Sequence, residues 1–210
     1  MNEKFFDELK EKIQPYFEKG GSHEFSHTER VYNLAMEISK DEGADMDIVK
    51  AAVLLHDIAR HSEDKGEVEC HAESGAKMAK EILEKTDFPK DKIENVCHSI
   101  SVHRYSKKLK AEIKEAEILQ DADRLDALGA ITIARIFMYN GMRGNKLHDV
   151  NIKPGKEYLG QESTAINHFY EKIIKIKPET FKTKRARQIA KERYGFVQKF
   201  LKQFKEEWEG

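Results

Sequence analysis

The segment that most constrains the fold places a histidine and an aspartate, His56 and Asp57, side by side at the end of an apolar run. Val49, Ala52 and Val53 lie at i, i+3 and i+4 of one helical face, and the pair continues that face at i+7 and i+8. A polar pair on a buried face costs free energy unless it is paired, hydrogen-bonded or bound to a metal. Because adjacent helical residues diverge by about 100°, both can reach one ion only at a helix end or a local distortion. Two interpretations stay open: a metal site at a helix end, or a core histidine beside a capping aspartate.

The composition is that of a globular chain with a heavily charged surface. Of its 210 residues, 39% are hydrophobic and 36% are charged, and the formal net charge of −1 gives no global attraction to nucleic acid or anionic membranes. A chain of this length can bury a sizeable core, so we expect one domain over residues 1–210. No apolar run approaches the roughly 20 residues of a membrane span, and no signal-peptide segment is seen. With Cys70 and Cys97 too far apart for a CxxC motif, we expect a cytoplasmic protein with reduced thiols.

Almost every periodic segment has helical spacing, and no alternating run is long enough to build a sheet. Helices are expected over residues 2–18, 26–43, 45–60, 71–85, 88–103, 116–139, 163–174 and 181–208. Ser26 and Glu29 have the spacing of a capping box. The segment 116–139 is apolar nearly all round, which predicts a central buried helix, and residues 140–160 form one long irregular region. The sequence therefore predicts an all-α fold.

Four residues from three of these segments are expected to face the same interior. They are His27, His56, Asp57 and Asp123. His27 lies four residues before Val31 on an apolar face, and Asp123 lies four residues after Leu119 on another. Buried helices that each offer a histidine or aspartate to one place can build a metal site inside a bundle. Two imidazoles and two carboxylates suit Mn²⁺, Fe²⁺, Co²⁺, Ni²⁺, Zn²⁺ or, less well, Mg²⁺, with one or two positions left for water or substrate.

The order of these four residues resembles the HD-domain phosphohydrolase superfamily, whose signature is a histidine, a His-Asp doublet and a distant aspartate. Arg30, three residues after the first histidine, and the run LQDADRLDALGAITIAR resemble a branch of small stand-alone HD hydrolases from bacteria and archaea. The resemblance covers residues 25–137. It implies an HD-type helical bundle with a core over about 22–140, an irregular loop over 140–160 and C-terminal helices over 163–208.

By this resemblance the four residues are the ligands of a divalent metal, and the chain is a phosphohydrolase. Asp57 would also orient the nucleophilic water. Asp121, Asp123 and Asp126 compete for the last ligand position, and the family's ADR-L pattern selects Asp123. Asp121 and Asp126 are then either carboxylates that support the ligands or residues engaged in capping and ion pairs. One ion is expected, and a second is possible.

Three further histidines lie between the doublet and the last ligand, at His71, His98 and His103. HD enzymes of the HD-GYP type, which cleave cyclic dinucleotides, hold a second metal with extra histidines in this part of the chain. The GYP segment and its tandem histidines are absent here. The three side chains are therefore either ligands of a second ion, phosphate-binding or proton-donating groups, or ordinary surface and core histidines. His23, four residues before the first ligand, would flank the mouth of the site.

Basic residues near the doublet favour a phosphate-rich substrate. Arg60 and His61 occupy the positions at which (p)ppGpp hydrolases carry an acidic pair, which disfavours that substrate, and His61 is a candidate general acid. Arg30 is either a phosphate clamp or a surface arginine. Lys153 belongs to the irregular region 140–160, which carries several basic residues. This region either covers a polyphosphate substrate or is an ordinary solvent-exposed loop. We expect a nucleotide substrate, for a nucleoside triphosphate pyrophosphohydrolase or a nucleotidase. A non-catalytic nucleotide-sensing HD module is the alternative of another class.

Overall fold

The computed structural model describes residues 1–17, 25–107, 109–156 and 164–210, and all regular secondary structure in these ranges is helical. The α-helices are α1 (Glu3–Ile13), α2 (Phe25–Ser39), α3 (Met46–Leu55), α4 (Arg60–Asp64), α5 (His71–Glu84), α6 (Ile93–Val102), α7 (Lys114–Asp126), α8 (Ala130–Met142), α9 (Ala165–Glu171) and α10 (Lys184–Glu209). The predicted all-α fold is confirmed. His23 and the end of the expected loop, residues 157–160, lie outside the described ranges.

Two compact units divide the chain, Met1–Asp123 and Arg124–Gly210, with the boundary inside α7. In the first unit α3 packs against α1, α2, α5 and α6. Every residue from Ala51 to Leu55 in α3 is buried. α3 is therefore the central helix of the first unit. The expectation of one domain over residues 1–210 stays a prediction.

The backbone changes direction at the end of α3, and the doublet of His56 and Asp57 lies at this change. The helix ends at Leu55, earlier than the predicted residue 60, and a turn follows. The ring Nδ1 of His56 lies 2.7 Å from the carbonyl oxygen of Val53. In a continued helix that carbonyl would accept from the backbone N–H of Asp57. A histidine at a helix C-terminus can satisfy one of the orphan carbonyls in this way. The doublet therefore lies at a helix end, as the metal interpretation requires.

The long apolar segment 116–139 is two helices instead of the single one predicted. α7 and α8 are separated at Gly129, whose φ of 92° lies in a region that favours glycine. A Cβ atom at this position would also lie 3.2 Å from the Arg193 Cγ atom. α7 is buried nearly all round, as expected, but α8 is not, since Ile131 is 48% and Met142 76% exposed. The apolar pattern predicted burial correctly only up to the glycine.

The structure also differs from the sequence-based prediction at the start of α2 and in the segment after the doublet. Ser26 lies inside α2 and not at its N-cap, and its hydroxyl accepts a hydrogen bond from Arg30 Nη1 at 3.1 Å. The charged segment after the doublet, expected to be an irregular connection over 62–69, begins with the short helix α4. α4 packs against the start of α5 and brings its side chains close to the doublet.

In the second unit α8 packs against α9 and α10, and residues 143–156 are irregular, as expected. This segment is bonded to α9, where Ala165 N donates to Lys146 O at 3.0 Å and Glu171 Oε1 accepts from Gly155 N at 2.8 Å. α10 is 26 residues long and amphipathic. None of the helices in the described ranges is long and apolar enough to cross a membrane.

Candidate metal centre

The structure brings the four predicted ligand residues together. These residues, called the first group below, are His27 of α2, His56 at the end of α3, Asp57 and Asp123 of α7. Asp57 Oδ2 lies 3.8 Å from the Nε2 atoms of both His27 and His56. Asp123 Oδ1 lies 3.4 Å from His27 Nε2. The ligand atoms of His27, His56 and Asp57 all lie within 4.8 Å of one another, a spacing that one ion could fill.

Asp57 also belongs to a second group, with His71 at the start of α5 and His103 at the end of α6. Asp57 Oδ1 lies 3.3 Å from His71 Nε2 and 3.6 Å from His103 Nε2. The three ligand atoms again lie within 4.8 Å of one another. One carboxylate therefore presents one oxygen to each group, and the two groups are adjacent.

The hydrogen bonds of His56 show that the first group fits a metal. Its Nδ1 faces the carbonyl oxygen of Val53, an acceptor, so Nδ1 carries the proton and Nε2 carries a lone pair. That Nε2 atom is buried and has no hydrogen-bond partner. A buried, unsatisfied imidazole nitrogen costs free energy, and a cation among these carboxylates would satisfy it. A bond from the other nitrogen to a carbonyl is the usual support of a metal-binding histidine.

The second group also contains buried imidazole lone pairs, and here two of them face each other. His103 Nδ1 lies 2.6 Å from Ile100 O, and His71 Nδ1 is bonded to the Glu63 carboxylate. Both rings therefore carry their lone pairs at Nε2, and the two Nε2 atoms face each other at 3.3 Å. Two lone pairs at this separation repel unless a proton or a metal cation lies between them. The donor set, two imidazoles and a carboxylate, suits a divalent transition metal.

The protonation states of His56 and Asp123 in the first group are those that bind metals. Burial lowers the pKa of His56 to about 4, which keeps this ring neutral. Burial opposes ionisation of Asp123, but the hydrogen bond and charge of His27 lower the pKa of this carboxyl to about 2. In the second group burial opposes protonation of His103, but the Asp57 carboxylate raises the pKa of that ring. A proton added to the second group is therefore favoured on His103 over His71, whose pKa is lowered by burial.

Side-chain exposure shows from which side the centre can be reached. The His56 side chain is fully buried, and those of His27 and Asp57 are each 6% exposed. The Asp123 side chain is 25% exposed. Asp123 is therefore the most exposed side chain of the first group.

Two predicted site residues have other partners. His98 lies five residues before His103, about 140° around α6, and its Nε2 accepts a hydrogen bond from Glu112 N at 3.2 Å. Asp126 lies in the second unit, buried, with Arg135 Nη1 donating to its Oδ2 at 2.9 Å. For Asp126 these contacts favour the ion-pair interpretation over a role in supporting the ligands.

Four further residues were predicted to support the ligands, bind substrate or act in catalysis. Asp121 is fully buried in α7. Arg30 lies on α2 one turn beyond the first ligand, and His61 is half-buried on α4. Lys153 is exposed in the irregular segment of the second unit. Their roles in binding or catalysis stay predictions.

One residue of the centre was not predicted at all. Glu63 on α4 accepts hydrogen bonds from the backbone N–H of His71 at 3.0 Å and from the His71 ring Nδ1, and it also accepts from Arg104 Nη1 at 2.8 Å. Its ionisation is opposed by burial but favoured by the His71 hydrogen bonds, which lower the pKa of Glu63 to about 2. No periodicity or motif marks Glu63, because its contacts join separate elements.

Comparison with known proteins agrees with this geometry. The family model described as HD domain matches residues 25–128. The protein YpgQ of Bacillus subtilis (strain 168) is 30% identical over 201 residues, which cover 92% of this chain and 88% of YpgQ. A crystal structure of an HD-superfamily hydrolase from Bacillus thuringiensis aligns with a TM-score of 0.79 and 33% identity, over 99% of this chain and 98% of that one. The structure of B. subtilis YpgQ in complex with ADP aligns with a TM-score of 0.70 and 26% identity, over 96% and 97% of the two chains.

These relatives match nearly the full length of the chain, and the family model covers the segment that carries all the residues of both groups. The resemblance read from the four spaced ligand residues is thereby confirmed. The chain belongs to the HD superfamily of hydrolases.

Proposed function

We propose that this protein is a divalent-metal-dependent phosphohydrolase that acts on a nucleotide, as a nucleoside triphosphate pyrophosphohydrolase or a nucleotidase. The observation that carries the proposal is the buried His56 Nε2 lone pair, which lies beside the Asp57 carboxylate without a hydrogen-bond partner. A bound divalent cation would satisfy this lone pair. Divalent cations held by protein side chains catalyse the hydrolysis of phosphate esters.

His27, His56, Asp57 and Asp123 would hold one ion, and Asp57, His71 and His103 a second. Mn²⁺, Ni²⁺, Co²⁺, Fe²⁺, Zn²⁺ and Mg²⁺ are compatible with these donors in different degrees. When bound, a divalent ion supplies Lewis-acid chemistry, by polarising a phosphoryl oxygen and lowering the pKa of a water. Manganese as the metal and a cytoplasmic location stay predictions.

The proposal gives roles in water activation, substrate entry, phosphate binding and proton donation to individual side chains. Asp57 has carboxylate oxygens directed at both groups and would orient the attacking water between them. The partly exposed Asp123 marks the side from which substrate would enter. Arg60 and Arg104, whose side chains are 26% and 27% exposed near Glu63 and His71, would add positive charge for a phosphate. His61, on the helix that carries Arg60, is the candidate general acid.

A nucleotide is favoured over other phosphorylated metabolites because YpgQ, similar to this chain over nearly its full length, was crystallised with ADP. A cyclic dinucleotide or (p)ppGpp would meet the same ligands and is the alternative substrate class. Arg30 as a phosphate clamp, and the segment that carries Lys153 as a cover over a polyphosphate, are further parts of the proposal.

The test is product release from a panel of nucleoside mono-, di- and triphosphates, cyclic dinucleotides and ppGpp. Protein stripped with EDTA receives Mn²⁺, Co²⁺, Ni²⁺ or Mg²⁺, and phosphate and pyrophosphate are assayed separately. We expect metal-dependent release that Asp57→Asn abolishes and that the matched surface variant Asp7→Asn retains. Pyrophosphate as product identifies a pyrophosphohydrolase, and phosphate a nucleotidase. A nucleotide that binds but stays intact with every metal contradicts the proposal and indicates a sensing module.

A further inference from the structure

Glu63 connects the surface of the first unit to the second group, and the proposed function gives it no task. It lies on α4, between the doublet and α5, with a side chain that is 18% exposed. Its two carboxylate oxygens face opposite ways. Oε2 accepts from the backbone and the ring of His71, whereas Oε1 accepts from Arg104 at 2.8 Å.

The contact with the ring decides where His71 carries its proton. An ionised carboxylate is an acceptor only, so the His71 nitrogen beside it must be protonated. Arg60 Nη1, a donor, also lies near this nitrogen, but at 3.4 Å it is the longer and weaker contact. A neutral imidazole carries one proton, and Nε2 is then left with a lone pair. That Nε2 lies 3.3 Å from Asp57 Oδ1 and 3.3 Å from His103 Nε2, inside the second group. The opposite tautomer would place a hydrogen at the position where an ion would bind.

We propose that Glu63, fixed by Arg104, is a positioning residue that holds His71 in the tautomer able to bind a cation in the second group. The inference rests on the proposed metal dependence. It implies that binding of the second ion depends on Glu63, whereas binding of the first ion does not. Glu63 touches neither an ion nor a substrate in this arrangement. Its effect on the second group passes through the ring of His71.

A simpler role for Glu63 must be separated from this one. α5 begins at His71, and the residue before it, Cys70, makes no side-chain capping bond. Glu63 therefore also satisfies a free N–H at the start of α5, the task of an N-cap. A helix cap affects stability, but by itself it does not set the tautomer of a ring.

The discriminating variant is Glu63→Gln. An amide has one acceptor and one donor end, and Arg104 and the His71 backbone N–H can both only donate. The hydrogen bond to the charged guanidinium is the stronger of the two, so the amide oxygen turns to Arg104 and the NH₂ group to His71. His71 Nδ1 then meets a donor, and the proton moves to Nε2. Glu63→Met removes the acceptor altogether and serves as the second variant. Glu67→Gln, an exposed residue of the same connection, is the matched control.

The first measurement is a long-range ¹⁵N–¹H correlation spectrum of the metal-free protein. We expect His71 as the Nδ1–H tautomer in the parent and in Glu67→Gln, and as the Nε2–H tautomer in Glu63→Gln. The second is a Mn²⁺ titration followed by the electron paramagnetic resonance signal of the free ion. Loss of a supporting hydrogen bond typically weakens metal binding by about 10- to 100-fold. We expect that loss for one of two ions in Glu63→Gln, with the other ion unaffected.

The two readouts separate the possible failures. An unchanged His71 tautomer in both Glu63 variants, with unchanged Mn²⁺ binding, would overturn the positioning role and leave the metal-dependent function intact. If no Mn²⁺ binds the parent protein at all, manganese is not the metal of this centre, and the tautomer still reports on Glu63 independently. Reduced thermal stability without a change of tautomer would identify Glu63 as a helix cap only and would also overturn the proposal.

Discussion

Two histidines on opposite sides of Asp57, His56 of the first group and His71 of the second, are oriented by different means. In the first group His56 donates to a carbonyl three residues back in its own helix. In the second group His71 donates to Glu63, a side chain on another helix, which in turn depends on Arg104. A bond within one helix end forms whenever that helix forms, whereas a bond between helices needs the tertiary structure around it. The orientation of the His56 ring is therefore built into local structure, and that of the His71 ring is open to adjustment by distant substitutions.

The largest effect is expected where the two groups meet. Asp57→Asn keeps the size of the side chain but removes the charge that faces all the ligand histidines, so neither group binds its ion well. Loss of the metal contribution, worth several kcal/mol, corresponds to a fall in kcat/KM of more than about 1,000-fold. Steady-state kinetics measures the loss, and circular dichroism of the metal-free variant checks that the fold is retained. Activity within about tenfold of the parent would contradict the shared role of Asp57.

A smaller effect, on stability, is expected from the buried ring of His56 as the pH falls. The pKa of His56 falls from 6.5 to about 4 on folding because the ring is buried. Between these values the unfolded chain binds a proton that the folded chain does not, so the free energy of unfolding falls as the pH drops. The shift corresponds to a loss of about 3 kcal/mol across the window. Urea unfolding of the metal-free protein between pH 6.5 and about 5, above the carboxylate range, measures the slope.

His168 provides the control for that slope. Burial also lowers its pKa to about 4, and it lies in the second unit. His56→Gln and His168→Gln should therefore each remove part of the pH dependence. Saturating Mn²⁺ should alter the part due to His56 and leave the part due to His168. A His56→Gln variant with the parent's full pH dependence would show that this ring is protonated as readily as in the unfolded chain.

The smallest effect is expected at the contact between the helices of the two groups. Gly75 lies one turn beyond His71 on α5, and a Cβ atom there would lie 3.4 Å from the carbonyl oxygen of His56. This is ordinary van der Waals contact, so Gly75→Ala should change the free energy of unfolding by less than about 1 kcal/mol. Gly75→Leu has no room and should cost about 1 to 3 kcal/mol. Thermal unfolding of both variants measures the difference, and equal melting temperatures would mean that α5 can move away from α3 freely.

The sequence predicted those parts of the centre that depend on local pattern. Helical periodicity placed His27 and His56 on buried faces, and the polar pair on an apolar stripe required a helix end, which the structure has at Leu55. The split at Gly129 was missed because the apolar pattern continues on both sides of it. Glu63 was missed for a different reason. The packing of α4 on α5 brings His71 to it, Arg104 reaches it from the segment after α6, and no spacing along the chain records these contacts.

The helix ends at this centre have an electrostatic consequence. α3 and α6 both terminate at it, with His56 and His103 as their C-cap residues. A helix C-terminus carries roughly half a negative charge and an N-terminus roughly half a positive one. The start of α5 at His71 and the first turn of α2 at His27 therefore offset these two ends, and the net negative charge is that of the Asp57 and Asp123 carboxylates. A polyphosphate is therefore repelled from the empty centre and attracted to the occupied one. Binding should be ordered, with cation first and nucleotide second. Calorimetric titration with a non-hydrolysable triphosphate should show at least about tenfold tighter binding when Mn²⁺ is present, which would make metal supply, rather than nucleotide supply, the switch for this protein.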